Sequence, residues 1–166
     1  MKERILTSLL TVFVITGIQS QSPAPVPRLV VGLTIDQLRA DYIEAFSALY
    51  GERGFKRLLK EGRIYTNAEY DFINVDRSSA TASIYTGTTP YYNGIPANRW
   101  MDRNSLRIIK SVDDQSFMGV YTSENSSAKL LHCSTLSDEL KVATQGQAEV
   151  YSIAPTREMA ILAAGH

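Results

Sequence analysis

The run Leu29-Val30-Val31-Gly32-Leu33-Thr34-Ile35, stopped by Asp36, narrows what this chain can become more than any other segment. It is apolar on both faces and rich in β-branched residues. A strand without a polar face has to be covered on both sides, as the strands of a helix-flanked parallel sheet are. The next segments supply such cover. Leu38, Tyr42, Ile43, Phe46 and Leu49 recur at three- and four-residue spacings, a helical pattern that ends by Gly51. A second helix is predicted over Gly54 to Glu61, with Phe55, Leu58 and Leu59 on one side and Gly62 as its stop. With Arg63 to Ala68 as another extended segment, these pieces make a βαβ-type unit.

Further along, Ser79 to Tyr85 reads as a short helix opened by hydroxyl residues and ended by Thr86-Gly87-Thr88-Thr89-Pro90. Asn98 to Ser127 is polar and irregular, a surface excursion with at most a short hairpin. Ser134 or Thr135 caps a helix that Gly146 closes. Ala148 to Ile153 is predicted as a strand and Thr156 to Ala164 as a helix. The fold class is therefore α/β, with a largely parallel sheet flanked by helices. In such sheets ligands gather at the carboxyl ends of strands, where Asp36 stands. Because few strands have been laid down by His166, residues 28–166 are expected to be the N-terminal part of a larger domain.

The chain ahead of Arg28 has a different character. Lys2 and Arg4 precede an apolar run from Ile5 to Ile18, then Gln19-Ser20-Gln21, which is the pattern of a secretory signal peptide over residues 1–20. The apolar stretch is shorter than the roughly 20 residues that span a bilayer. An uncleaved anchor is the alternative, and either way the rest is exported, with no transmembrane segment left after cleavage. Residues 21–27 form a proline-rich spacer. The 17 Lys+Arg balance 17 Asp+Glu, so charge does not direct the chain to nucleic acid or an anionic membrane. With 44% hydrophobic and 20% charged residues, a packed core is expected. The lone Cys133 excludes an intramolecular disulfide framework and reads as a buried small residue. No Walker-type phosphate loop, dinucleotide fingerprint or nucleic-acid-binding module is present.

Asp36 has two readings: a rigidly held carboxylate suited to a cation, or the N-cap of a helix starting at Gln37. Several motifs bear on the choice. The segment from Leu29 to Arg39, then Gly54-Phe55-Lys56-Arg57-Leu58, Ala82-Ser83-Ile84-Tyr85-Thr86-Gly87-Thr88-Thr89-Pro90, Asn93-Gly94-Ile95 and Asn98 before Trp100 resemble the alkaline phosphatase superfamily. Ser137-Asp138-Glu139-Leu140-Lys141 and the segment Ala160 to His166 fit as well. The resemblance is closest to bacterial phosphate-irrepressible alkaline phosphatases and nucleotide pyrophosphatase/phosphodiesterases.

That resemblance implies an alkaline-phosphatase-like fold and an exported, periplasmic or cell-envelope hydrolase of small-molecule phosphoesters. Two zinc ions would activate a hydroxyl nucleophile and stabilise the leaving oxygen. Asp36 would be a zinc ligand, and the Asn98 amide would donate to a phosphoryl oxygen; alternatively Asn98 only turns the loop. Three departures stand out. The family's nucleophilic Thr or Ser position holds Arg77, which cannot attack but can clamp phosphate. Ser78 and Ser79, at the helix entrance, are then the candidate nucleophiles or merely capping residues. A Lys and Arg that phosphatases of the family place on phosphate are here Thr156 and Glu158, with only Arg157 between them as a cation. And His132 and His166 are too few to complete two zinc sites, so the chain is expected to be inactive alone. Alternatives to the monoester hydrolase are a phosphodiesterase, nucleotide pyrophosphatase or sulfatase-like enzyme, and a catalytically dead ligand-binding relative.

Overall fold

The structure is a computed structural model that describes residues 26–166. The signal peptide and most of the spacer expected before them lie outside the described residues. The chain divides into two units, Met1–Val30 and Val31–His166. In the first, residues 26–30 are exposed and carry no regular structure.

The second unit holds, in order, α1 (Ala40–Ala45), a 3-10 turn (Ser47–Leu49), α2 (Phe55–Glu61), α3 (Arg77–Thr86), α4 (Pro90–Asn93), β1 (Arg99–Asp102), β2 (Arg107–Lys110), α5 (Leu136–Ala143) and α6 (Arg157–Ala164). Most of the predicted helices are present within a residue or two. The first is shorter, since the backbone tightens into the 3-10 turn after Phe46. Pro90, expected only to stop α3, also opens α4 from its first position, where its missing N–H costs nothing. The two best-built helix starts are capping boxes: Asp76 with Ser79 on α3, and Thr135 with Asp138 on α5. Gly87 ends α3 in the left-handed conformation at φ 66°.

The sheet differs from expectation. Among the described residues the one ladder is an antiparallel hairpin, with Arg99 opposite Lys110 and Asp102 opposite Arg107, inside the predicted excursion. Residues 31–35, 63–68 and 148–153 are not paired into strands. Their alternate apolar side chains are open: Val31 is 77%, Leu33 78% and Ile153 98% exposed. A strand is defined by the partner that takes its backbone hydrogen bonds, and these segments meet none within the described residues.

The core is small. Ala82, Ile95, Val112, Ala128, Leu131 and Leu162 are buried together, with Trp100, Leu130 and Ile161 packed against them. α3 lies against α4, α5 and α6, which makes it the hub of this core. The α6 end closes on the α5 cap: a β-carbon at Gly165 (φ 77°) would come within 2.3 Å of Thr135 Oγ1. No helix among the described residues is long and apolar enough to cross a membrane.

Candidate functional site

The residues singled out from sequence converge on the start of α3, and Asp76 explains how. Asp76 Oδ1 accepts from Ser79 N at 2.9 Å and from Ser79 Oγ at 3.1 Å, while Ser79 Oγ accepts from Asp76 N at 2.9 Å. The other carboxylate oxygen, Oδ2, accepts from Asn98 N at 2.5 Å. One side chain therefore caps the helix and ties down the loop before β1. The sequence reading gave the helix start to hydroxyl residues and missed Asp76; the Asp-x-x-Ser spacing of a capping box is the signal that could have found it.

Ser78 and Ser79, expected as nucleophiles or caps, are both 0% exposed. Ser79 belongs to the capping box. Ser78 Oγ donates to Asn98 Oδ1 at 2.8 Å and lies 3.1 Å from the buried Ser111 Oγ. Arg77, the first residue of α3, points the other way, and its Nε donates to Asp36 Oδ2 at 3.0 Å. Asp36 is not a helix cap: it sits in a turn with Gln37 at φ 60°, and α1 begins only at Ala40, after Arg39. Tyr70, which sequence reasoning missed, shares a pocket with Asp36 and Arg77. Burial, and then the Asp36 charge, push its hydroxyl above the usual tyrosine range. No periodic or motif signal marks Tyr70 in the sequence.

A second pocket at the same helix entrance is lined by Asp76, Arg77, Asn98, Thr156 and Glu158. The start of α6 delivers Thr156 and Glu158 to it. Arg157 between them turns away: its Nη2 donates to Asp113 at 2.6 Å, its Nη1 donates to Glu124 and to Ser126 Oγ at 3.0 Å, and its Nε reaches Glu158 at 3.4 Å. Burial opposes its charge, but Glu158, Asp113 and Glu124 hold the guanidinium firmly protonated. Arg157 thus staples α6 to the excursion loop and adds no cation to the pocket. Arg77 is the one cationic residue that lines it, together with the acidic Asp76 and Glu158.

The residues present do not fit a pair of zinc ions. Among the described residues no group of three or more His, Cys, Asp or Glu side chains is placed to hold a metal, and Asp36 spends its carboxylate on Arg77. His132 is exposed on a loop. His166 is drawn to Asp138, with Nδ1 at 3.0 Å from Oδ2, away from the α3 entrance. Burial disfavours the Asp138 charge, yet bonds from Thr135 and His166 outweigh it and keep the carboxyl below its ordinary range. Cys133 is half-buried rather than buried, its Sγ 3.3 Å from the Tyr92 carbonyl.

Comparison with known proteins places these residues in context. The profile of the type I phosphodiesterase / nucleotide pyrophosphatase family matches residues 30–144. Alkaline phosphatase PafA of Elizabethkingia meningoseptica is 34% identical over 165 residues, which is 97% of this chain and 30% of that protein. Alkaline phosphatase PhoV of Synechococcus elongatus is 41% identical over 143 residues, 84% of this chain and 26% of that protein. The crystal structure of wild-type PafA superposes with a TM-score of 0.81 at 33% identity, over 87% of this chain and 29% of that one. The chain spans under a third of the length of the relatives it matches.

Proposed function

Since the chain belongs to the type I phosphodiesterase / nucleotide pyrophosphatase family and carries the α/β fold of an alkaline phosphatase over the matched part, we propose that it serves an exported hydrolase of small-molecule phosphoesters, holding the ester's phosphoryl group at the α3 entrance. In this reading residues 1–20 direct export to the periplasm or envelope, 21–27 are a spacer, and the domain from residue 28 carries the site.

The observation that carries the reading is the convergence of Arg77 and Asn98 on one pocket at the start of α3. The guanidinium supplies charge and a planar fork of donors suited to two phosphoryl oxygens. The Asn98 amide supplies a neutral donor for an oxygen on which charge develops. Glu158 opposes a second negative charge, so the site favours a monoanionic diester over a dianionic monoester. Two-zinc chemistry does not fit the described residues.

A second reading, binding without turnover, is favoured by the complete burial of Ser78 and Ser79, since an attacking hydroxyl has to reach phosphorus. Calorimetric titration of the 166-residue chain with dimethyl phosphate, methyl phosphate and sulfate tests the common part of both readings. Binding of dimethyl phosphate that Arg77→Ala and Asn98→Ala each weaken supports the site; binding indifferent to both changes overturns it. Hydrolysis of nitrophenyl monoesters and diesters, with and without added zinc, then separates the readings. Turnover abolished by Ser78→Ala or Ser79→Ala restores a serine as nucleophile, and binding without turnover leaves the ligand-binding relative.

A further inference from the structure

Asn98 has four polar atoms, and three of them are already engaged. Its backbone N donates to Asp76 Oδ2 at 2.5 Å, its backbone O accepts from Ser111 N at 3.0 Å, and its side-chain Oδ1 accepts from Ser78 Oγ at 2.8 Å. Among the described residues only Nδ2 has no partner, and Asn98 is exposed on the pocket that Arg77 lines.

The bond from Ser78 also fixes a proton order. A hydroxyl has one proton, so once Ser78 gives its own to Asn98 Oδ1 it can only accept from Ser111, 3.1 Å away. The chain of bonds therefore runs Ser111 to Ser78 to Asn98, buried for its first two members, where each bond polarises the next. We propose that Ser78 and Asp76 are positioning residues for Asn98: together they lock its carboxamide with the oxygen turned inward and the amide nitrogen presented to an oxyanion beside Arg77. This deepens the reading of Asn98 as a phosphoryl donor and rests on it, and it gives Ser78 a role other than nucleophile. Reversing the amide would replace that accepting oxygen by Nδ2 beside Ser78 and would turn Oδ1, an acceptor, toward the ligand. The identity of the atom facing the pocket is thus the point at issue.

The experiment is NMR on the labelled 166-residue chain with Ser78→Ala, which removes one buried oxygen and leaves the fold room to form. Without ligand, the Asn98 side-chain carbonyl resonance is expected to move in Ser78→Ala, while its Nδ2 protons, open to solvent in both proteins, exchange fast. With dimethyl phosphate, the Nδ2 resonance shifts in the wild type and affinity falls about tenfold in Ser78→Ala. Ser111→Ala, which removes only the support of Ser78, gives a smaller loss in the same direction. An Asn98 carbonyl unmoved by Ser78→Ala, or slowly exchanging Nδ2 protons in the free wild type, overturns the lock. A chain that binds no phosphate sinks the phosphoryl-donor reading of Asn98, and the ligand-free carbonyl and exchange measurements still decide the orientation.

Discussion

Between Val31 and Arg77 no residue is buried, whereas every buried side chain of the described chain falls between Ser78 and Leu162. The two regions do not differ in helical tendency. α1 and α2 carry apolar residues at helical spacing, but Tyr42, Leu58 and Leu59 are 40%, 62% and 43% exposed. They differ in what meets the stripe. α3 packs on three other helices and starts with a side-chain cap, while α1 and α2 have no side-chain cap bond. Isolated helices shorter than about 12–15 residues are marginal in water, so all three depend on partners, and among the described residues α3 is the one packed on several. The candidate site straddles the divide, taking Asp36 and Arg77 from the open region and Asn98 from the packed one.

The sharpest way to break this comparison is to truncate one leucine on each side of it. Leu162, 0% exposed on α6, is expected to cost about 2–5 kcal/mol when changed to Ala. Leu49→Ala, at a side chain 80% exposed, should stay within about 0.5 kcal/mol. Urea midpoints with unchanged slopes give both numbers. Equal losses would mean that the open region is held by packing after all.

Asp76→Ala probes the edge between the regions, with a smaller expected effect. Losing the α3 cap alone costs about 0.5–2 kcal/mol, and the released Asn98 N should bring the loss to the upper end. If the same change leaves stability untouched, α3 owes its start to packing rather than to its cap.

Acid sharpens the comparison from within the packed region. Bonds from the Ser116 hydroxyl, the Ser127 hydroxyl and the Ser116 backbone, with Lys129 nearby, pull the Asp114 carboxyl down to about 2. A folded-state value below the unfolded one, about 3.9, means stability that is present above pH 4 and drains away as pH falls from there toward 2. In Asp114→Asn that part of the acid sensitivity should be missing, which an unfolding series from pH 5 to 2 will read.

Legibility in the sequence runs along the same divide between local and distant causes. The α5 cap and the glycine stops at Gly62 and Gly87 involve residues within a few positions of one another, and spacing located the stops and narrowed the cap to Ser134 or Thr135. The strand at 29–35 was inferred from its composition, but pairing depends on a partner far away in the chain, and no pattern within the segment names it. At the site, Arg77 and Asn98 were legible as motif positions. The pocket they share with Glu158 was expected from the resemblance alone. The bond from Ser78 to Asn98 spans 20 residues and could not be read at all.

The smallest expected effect falls on the contact that ties Asp36 to the first residue of α3. Asp36 and Arg77 are paired at 3.0 Å, but their side chains are 47% and 59% exposed, and pairs of that kind contribute between nothing and about 1 kcal/mol. Asp36→Asn should therefore leave the urea midpoint nearly where it was. Its consequence should appear in binding instead. With the carboxylate neutralised, Arg77 faces the pocket with one less anion beside it, and affinity for dimethyl phosphate should rise severalfold at low salt and by less as screening shortens the reach of the charge. A loss of more than about 2 kcal/mol would contradict the exposed-pair arithmetic, because only a desolvated pair leaves so large a penalty behind. Asp36 would then be an anchor of the open region, and the boundary drawn at Ser78 would have to move toward the N-terminus.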